Sequence, residues 1–267
     1  KNSALYTGGN DGMLHAFDAS TGEELFAYIP YLVFENLKQL ADPDYSHKYF
    51  VDLTPTVEDV SLDGGVSVIL VGGLGKGGKG YYALDISAVN PEMNSVPSSE
   101  NDVKKMFMWE YPKVNTPAIH RADMGYSYSK VTIAKSHDVD DGKYIAIFGN
   151  GYNSDNESAV LFILNPANGE LIKKIDTGVT GCNGLSTPMA VDVDFDGVVD
   201  YVYAGDLKGN MWKFDLTSTD HNNWDVAFAE SSAPKPLFTT AGVNQPITTR
   251  PDVMKHCTQD GYLVFFG

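Results

Sequence analysis

The sequence predicts an all-β fold, a modified β-propeller whose blades are four antiparallel strands, with loop and short-helix insertions. Three observations predict it. A strand–turn–strand unit recurs along the chain. Tyr 15, Phe 13 and Gly 26 in 267 residues favour strands and turns over helices. A further candidate strand precedes the recurring pair in several copies, which makes four strands per unit. Such a unit cannot bury both faces alone, so neighbours must stack.

The first copy is Leu5–Gly8, a polar turn, then Met13–Asp18. The second is Val68–Gly73, then Tyr81–Asp85. The third pairs Ile145–Gly149 with Val160–Asn165, and the fourth pairs Tyr201–Asp206 with Gly209–Asp215. A fifth begins at Tyr262. In the first and third copies the turns Thr21-Gly22-Glu23 and Asn168-Gly169-Glu170 lead into strands Leu25–Ile29 and Leu171–Asp176. The preceding strands are Thr56–Leu62, Lys130–Ser136, Met189–Asp194 and Thr249–Lys255. Copies lie roughly 50–80 residues apart, longer than regular propeller repeats, so insertions are expected. Two segments interrupt the rhythm. Leu32–Ala41 places Val33, Leu37 and Leu40 at helical spacing and predicts a short surface helix. Residues 87–105, rich in Ser, Asn, Pro and charge, predict an exposed insertion.

A chain of this length fits one large β domain or two smaller ones; the repeat favours one propeller over residues 1–267. The net charge of −16 argues against nucleic-acid and anionic-membrane partners. It suits divalent cations and an extracellular setting. No apolar run approaches the ~20 residues that span a bilayer, so membrane insertion is not expected. Lys1–Thr7 reads as a strand and the last residues as another, which predicts a fragment of a longer protein. The two cysteines, Cys182 and Cys257, match no metal or redox spacing. A long-range disulfide and two buried thiols are both compatible with them.

The most chemically specific stretch is Asp192–Asp200, D-V-D-F-D-G-V-V-D. Asp192, Asp194, Asp196 and Asp200 fall at loop positions one, three, five and nine, with Gly197 at six. Calcium needs several oxygens at about 2.3–2.6 Å, which a curved loop with alternating Asp supplies. Val198 cannot ligate through its side chain, but its carbonyl can, as in EF-hand loops. Position twelve is Tyr203 and no helices flank the loop, so this is an EF-hand-like loop on another scaffold. It lies between the first two strands of the Met189–Asp215 blade. An acidic turn without metal is the competing reading, although four carboxylates this close repel one another.

Other motifs fail. Gly73–Gly80 approaches a phosphate-binding loop, but Gly80 stands where Ser or Thr should ligate magnesium, and a strand follows instead of a helix. A flexible hairpin loop is the better reading. Gly125–Ser129 lacks the last glycine of a nucleophile elbow, and the six histidines form no H-E-x-x-H. Asp138, Asp140 and Asp141 before Gly142 form a weaker metal candidate, as do Asn153, Asp155, Asn156 and Glu157.

The pattern Gly-Asp-x-x-Gly-x-x-Trp-x-x-Asp at Gly205–Asp215 resembles the quinoprotein-like propeller repeat. Gly9–Asp18 with Thr21–Glu24 and Ala27–Pro30, Tyr45–Asp52 leading into Pro55, and Ser186–Asp194 resemble the C-terminal domain of the type IV pilus-associated PilC/PilY family. The resemblance implies a modified propeller outside the cell, at the pilus tip or outer surface. Its function would be pilus biogenesis, balancing assembly against retraction, and adhesion. It implies no catalysis, minor pilins and the host-cell surface as partners, and Ca2+ held by Asp192, Asp194, Asp196, Val198 and Asp200. The rival classes are a quinone-dependent dehydrogenase, which needs a cationic cofactor pocket, and a purely structural scaffold for minor pilins.

Overall fold

The computed structural model of the chain describes residues 4–62, 65–89, 96–138, 144–241 and 245–267. Antiparallel sheets follow one another along the sequence. The first orders β1 (Ala4–Gly8), β2 (Leu14–Asp18) and β3 (Glu24–Tyr28). The second orders β4 (Thr56–Leu62), β5 (Gly65–Gly73), β6 (Tyr81–Asp85) and β7 (Phe107–Tyr111). The third orders β8 (Thr132–Lys135), β9 (Tyr144–Gly149), β10 (Val160–Leu164) and β11 (Leu171–Asp176). The fourth orders β12 (Met189–Val191), β13 (Tyr201–Gly205), β14 (Asn210–Asp215) and β15 (Asp225–Val226). A small hairpin, β16 (Ala229–Glu230) with β17 (Ala233–Pro234), precedes β18 (Phe238–Thr239), which adds to β14. β19 (Asp252–Lys255) and β20 (Tyr262–Phe265) form a final hairpin. The fold is the expected all-β modified propeller.

The chain clusters into two compact units. One comprises Lys1–Pro117, Tyr126–Lys130 and Ala167–Gly169; the other comprises Ala118–Gly125, Val131–Pro166 and Glu170–Gly267. In the first, Leu14 and Ala16 of β2 and Phe26 of β3 pack with Leu70, Tyr82 and Leu84 of the second sheet. In the second, Ile145, Ile147, Leu161 and Ile163 pack with Val202, Trp212, Phe214 and Trp224. Strands β9 and β10 are buried along nearly their whole length, which explains their unbroken apolar runs. The glycines that end β9 and β13 allow other segments to approach. A Cβ at Gly149 would meet the Ser186 carbonyl oxygen at 2.3 Å, and one at Gly205 would meet Ile247 Cγ2 at 2.3 Å. The repeat's glycine signature is thus a packing requirement.

Several expectations are corrected in detail. Tyr31–Ala41 is helical, but as a 3-10 helix with Val33 buried and Leu37 packed on the core. Leu40, in the last turn of that helix, is exposed rather than on the packed side. Of the segment 87–105, residues 90–95 lie outside the described residues; Val89 is buried, and the α-helix that begins within the segment, Glu100–Met106, ends in buried Met106 before β7. The Gly73–Gly80 loop is a hairpin connection, yet it is tightly packed rather than flexible. A Cβ at Gly77 would lie 1.8 Å from the Phe50 carbonyl oxygen. Ser127 Oγ accepts from the amides of Leu74 and Gly80, at 3.1 and 3.3 Å, and donates toward the carbonyls of Gly78 and Gly80. Cys182 and Cys257 are both exposed and unpaired, so neither the disulfide nor the buried thiols are formed.

In the first sheet His15 of β2 lies between two carboxylates, with Nδ1 2.5 Å from Glu24 Oε1 and Nε2 2.8 Å from Asp11 Oδ2. The Glu24 hydrogen bond raises its pKa above the ordinary 6.5; burial opposes the rise and Asp11 adds to it. A raised pKa gives stability that is complete below the unfolded value and lost as pH rises through the folded one. The urea midpoint should therefore fall as pH rises past about 6.5, and His15→Gln should flatten that fall. Equal slopes in the two proteins would refute the assignment.

Candidate metal site

β12 ends at Val191 and β13 begins at Tyr201, so the Asp-rich loop connects the first two strands of the fourth sheet, as expected. Gly197 adopts φ 88° and Phe195 φ 65°, two left-handed residues that curl the connection. Gly197 takes that conformation without the strain a Cβ would bring; Phe195 extends outward, 79% exposed.

The curl gathers three carboxylates. Asp192, Asp194 and Asp200 each offer an oxygen, and these oxygens lie within 4.8 Å of one another. Oxygens on opposite sides of a calcium ion at its usual bond lengths stand about 5 Å apart, so the spacing fits. Asp200 is buried, Asp192 is half-buried and Asp194 is exposed, which leaves the group open on one side. Asp196 does not join the converging set; it is exposed, and its Oδ1 accepts from the Val198 amide at 2.8 Å. Val198 bridges to Lys135 of β8. The donor set is all oxygen, the chemistry of a hard cation.

Backbone amides aim two of these side chains. Asp192 accepts from Phe195 N at 2.6 Å through Oδ1 and from Gly197 N at 2.8 Å through Oδ2. Burial pushes its pKa up, but the Gly197, Phe195 and Asp194 hydrogen bonds outweigh that and hold it below the usual carboxylate range. Asp200 Oδ2 accepts from Val193 N at 2.7 Å, and His137 Nε2 lies 2.9 Å from Oδ1. A carboxylate only accepts, so the histidine is the donor.

Neighbouring strands fix the loop. Val199 N donates to the Lys135 carbonyl at 3.0 Å, Leu216 N donates to the Asp200 carbonyl at 2.8 Å, and Tyr262 Oη donates to the Val193 carbonyl at 2.9 Å. Sequence reasoning missed His137, Lys135 and Tyr262. They are distant in the chain, and only the lone histidine just after β8 offered any hint.

Three described members of the weaker metal candidates are engaged with other groups. Asp140, Asp141 and Gly142 lie outside the described residues, and Asp138 is buried with His221 Nδ1 at 2.6 Å. Asn156 Nδ2 donates to Asp123, and Glu157 accepts from Cys182 N. Among the described residues no second group of three converges.

The family model described as the PilY1 β-propeller domain matches residues 1–267. The chain belongs to this family. Its relatives include the type IV pilus biogenesis factor PilY1 of Pseudomonas aeruginosa (strain UCBPP-PA14), 40% identical over 98% of this chain and 23% of that protein. A PilY1 homolog of Xylella fastidiosa (strain Temecula1) is 41% identical, covering 98% of this chain and 18% of its own length. The chain thus spans less than a quarter of these curated relatives. The crystal structure of the Pseudomonas aeruginosa PilY1 C-terminal domain superposes with TM-score 0.77 at 36% identity, over 99% of this chain and 52% of that one. A europium-containing methanol dehydrogenase gives TM-score 0.50 at 14% identity, over 93% of this chain and 44% of that one, a likeness of fold alone. The PilY1 relatives are named as biogenesis factors rather than enzymes.

Proposed function

We propose that the chain is one β-propeller domain of a longer type IV pilus-associated protein, and that it binds calcium. It supports pilus biogenesis, balancing assembly against retraction, and takes part in surface or host-cell adhesion. It works without catalysis, outside the cell at the pilus tip or outer surface, with minor pilins as partners. The observation that carries this reading is the convergence of Asp192, Asp194 and Asp200 within 4.8 Å in a chain of the PilY1 family. The loop spacing also assigns the Val198 carbonyl, whereas Asp196, engaged with the Val198 amide, stands outside the converging set. Bound calcium supplies positive charge that offsets the mutual repulsion of these carboxylates. The depressed pKa of Asp192 favours the charged form, so protons compete weakly with the metal at neutral pH.

The test is calcium titration calorimetry on this chain and on Asp194→Ala, with the same substitution carried into the full-length protein for a piliation assay. Asp194 is exposed and its Oδ1 accepts one long bond, 3.3 Å from Asp196 N, so its removal leaves the fold intact. The variant should lose at least about tenfold in affinity, in line with one lost charged ligand, and should alter pilus extension or retraction. Absence of binding heat in the unmodified chain would remove the metal assignment. Lost binding with normal pili would reduce the ion to a structural element.

A further inference from the structure

In a chain of net charge −16, one surface groove of the first unit is lined by cations, amides and phenols. It encloses about 520 Å³, within the usual range of small-molecule sites. Among the described residues lining it, none is acidic. Lys48 and Lys76 are exposed there, and Lys76 Nζ lies 4.5 Å over the Tyr49 ring. That contact holds the ammonium at the groove while leaving its charge unneutralised. Asn36 and Gln39 come from the helix Tyr31–Ala41 and are linked by a 3.1 Å hydrogen bond. Tyr49 and Tyr128, 37% and 39% exposed, present ring surface to solvent.

We propose that this groove binds an acidic monosaccharide unit, a uronic or sialic acid, at the end or edge of a glycan. Each part of such a sugar has a partner of matching chemistry. The carboxylate meets the lysine ammonium groups in a charge-assisted hydrogen bond. The hydroxyls meet the Asn36 and Gln39 amides, which both donate and accept. The apolar ring face meets a tyrosine, whose body is apolar and whose tip is polar. Burial and then the charge of Asp52 keep the Tyr128 phenol protonated. Two other anions fit less well. A long polyanion would meet the repulsion of the whole chain, whereas one carboxylate meets mainly the local lysines. Inorganic phosphate would leave the aromatic rings without a role, and the groove has no arginine fork to hold it.

The groove is built rather than loose. The amide of Phe50 donates to Asn10 Oδ1 at 3.2 Å, Val51 N to the Gly9 carbonyl at 3.2 Å, and Asp52 N to the Leu74 carbonyl at 3.2 Å. Gly77 is pressed on the Phe50 backbone, and Ser127, between the two groove tyrosines Tyr126 and Tyr128, clasps the glycine loop. Rigid walls lower the ordering cost of binding, which favours a small polar ligand.

The test is saturation-transfer NMR with titration on this chain in EDTA. The probes are methyl β-glucuronide, the methyl glycoside of N-acetylneuraminic acid, methyl β-glucoside and inorganic phosphate. At least one acidic sugar should bind, the glucoside should bind at least about tenfold more weakly, and Lys76→Gln should weaken the acidic sugar by about tenfold. Tyr49→Ala should weaken both sugars together. Should Lys76→Gln lower the melting temperature, Lys48→Gln serves as the second charge variant. No transfer to either acidic sugar, equal binding of the glucoside, equal binding of phosphate, or unchanged binding in the charge variants would each overturn the proposal. The calcium and pilus readings are untouched by any of these outcomes, because the groove is probed with calcium chelated and outside the pilus.

Discussion

Asp206→Ala should lower the unfolding free energy by roughly 3–5 kcal/mol, a fall in Tm on the order of 10 °C for a domain of this size. Asp206 and Trp212 are both 0% exposed. The Asp206 Oδ1 accepts from the amides of Lys208 at 2.9 Å and Asn210 at 2.8 Å. Its Oδ2 accepts from Asn183 Nδ2 at 3.1 Å, Asn210 Nδ2 at 2.9 Å and Trp212 Nε1 at 2.9 Å. Five donors thus solvate one buried carboxylate, the condition under which a charge away from water is tolerable. Alanine leaves all five without that acceptor, at about 1–3 kcal/mol for each that water cannot reach. Asp206→Asn is a sharper test than it looks. Either orientation of the amide turns an NH2 group toward N–H donors, so asparagine should be nearly as damaging as alanine. Trp212→Phe removes one donor and a little volume and should cost less than either. Urea midpoints with unchanged m-values would measure this. A loss below about 1 kcal/mol for Asp206→Ala would show that the network is not a main support of the fourth sheet.

That network also shows what the sequence could reveal. The Gly-Asp-x-x-Gly-x-x-Trp spacing was visible as a repeat because a strand end, a turn and a strand start are local. The same holds for the Asp loop, whose ligands sit within nine residues, and for β9, β10 and β13, whose burial writes itself as apolar runs. The partners that arrive from elsewhere were not visible. Asn183 reaches Asp206 across 23 positions and His137 reaches Asp200 across 63; no spacing rule encodes such contacts. β7 and β15 were missed for related reasons: the first follows an inserted helix, and the second is two residues long. The glycines of residues 73–80 suggested flexibility because composition cannot distinguish a loose loop from one pressed against Phe50 and clasped by Ser127. Asp196 shows the converse limit. Its position matched the spacing of a ligand, yet its carboxylate closes on the Val198 amide instead of turning in with the other three.

Calcium at about 100-fold above its Kd should stabilise the chain by about 2.7 kcal/mol, raising Tm by roughly 5–10 °C, and EDTA should reverse the gain. The variants separate ligation from architecture. Asp194→Ala should abolish most of the calcium-dependent gain while melting like the parent in EDTA, since Asp194 is exposed and weakly engaged. Asp200→Ala should abolish the gain and also melt earlier in EDTA, because Val193 N and His137 Nε2 lose their buried acceptor. The loop's own hydrogen bonds decide between a clamp and an order–disorder switch. The Phe195 and Gly197 amides already bond to Asp192, and Val199 N, Leu216 N and Tyr262 Oη tie the loop to its neighbours. Asp192 and Asp200 are therefore aimed by the backbone before any ion arrives, and little ordering remains for calcium to drive. Hydrogen exchange at Phe195 and Gly197 should show protection in EDTA that rises only modestly with calcium. Free exchange in EDTA with strong protection on calcium addition would favour the switch, and would mean that the repulsion among Asp192, Asp194 and Asp200 exceeds what those amides offset.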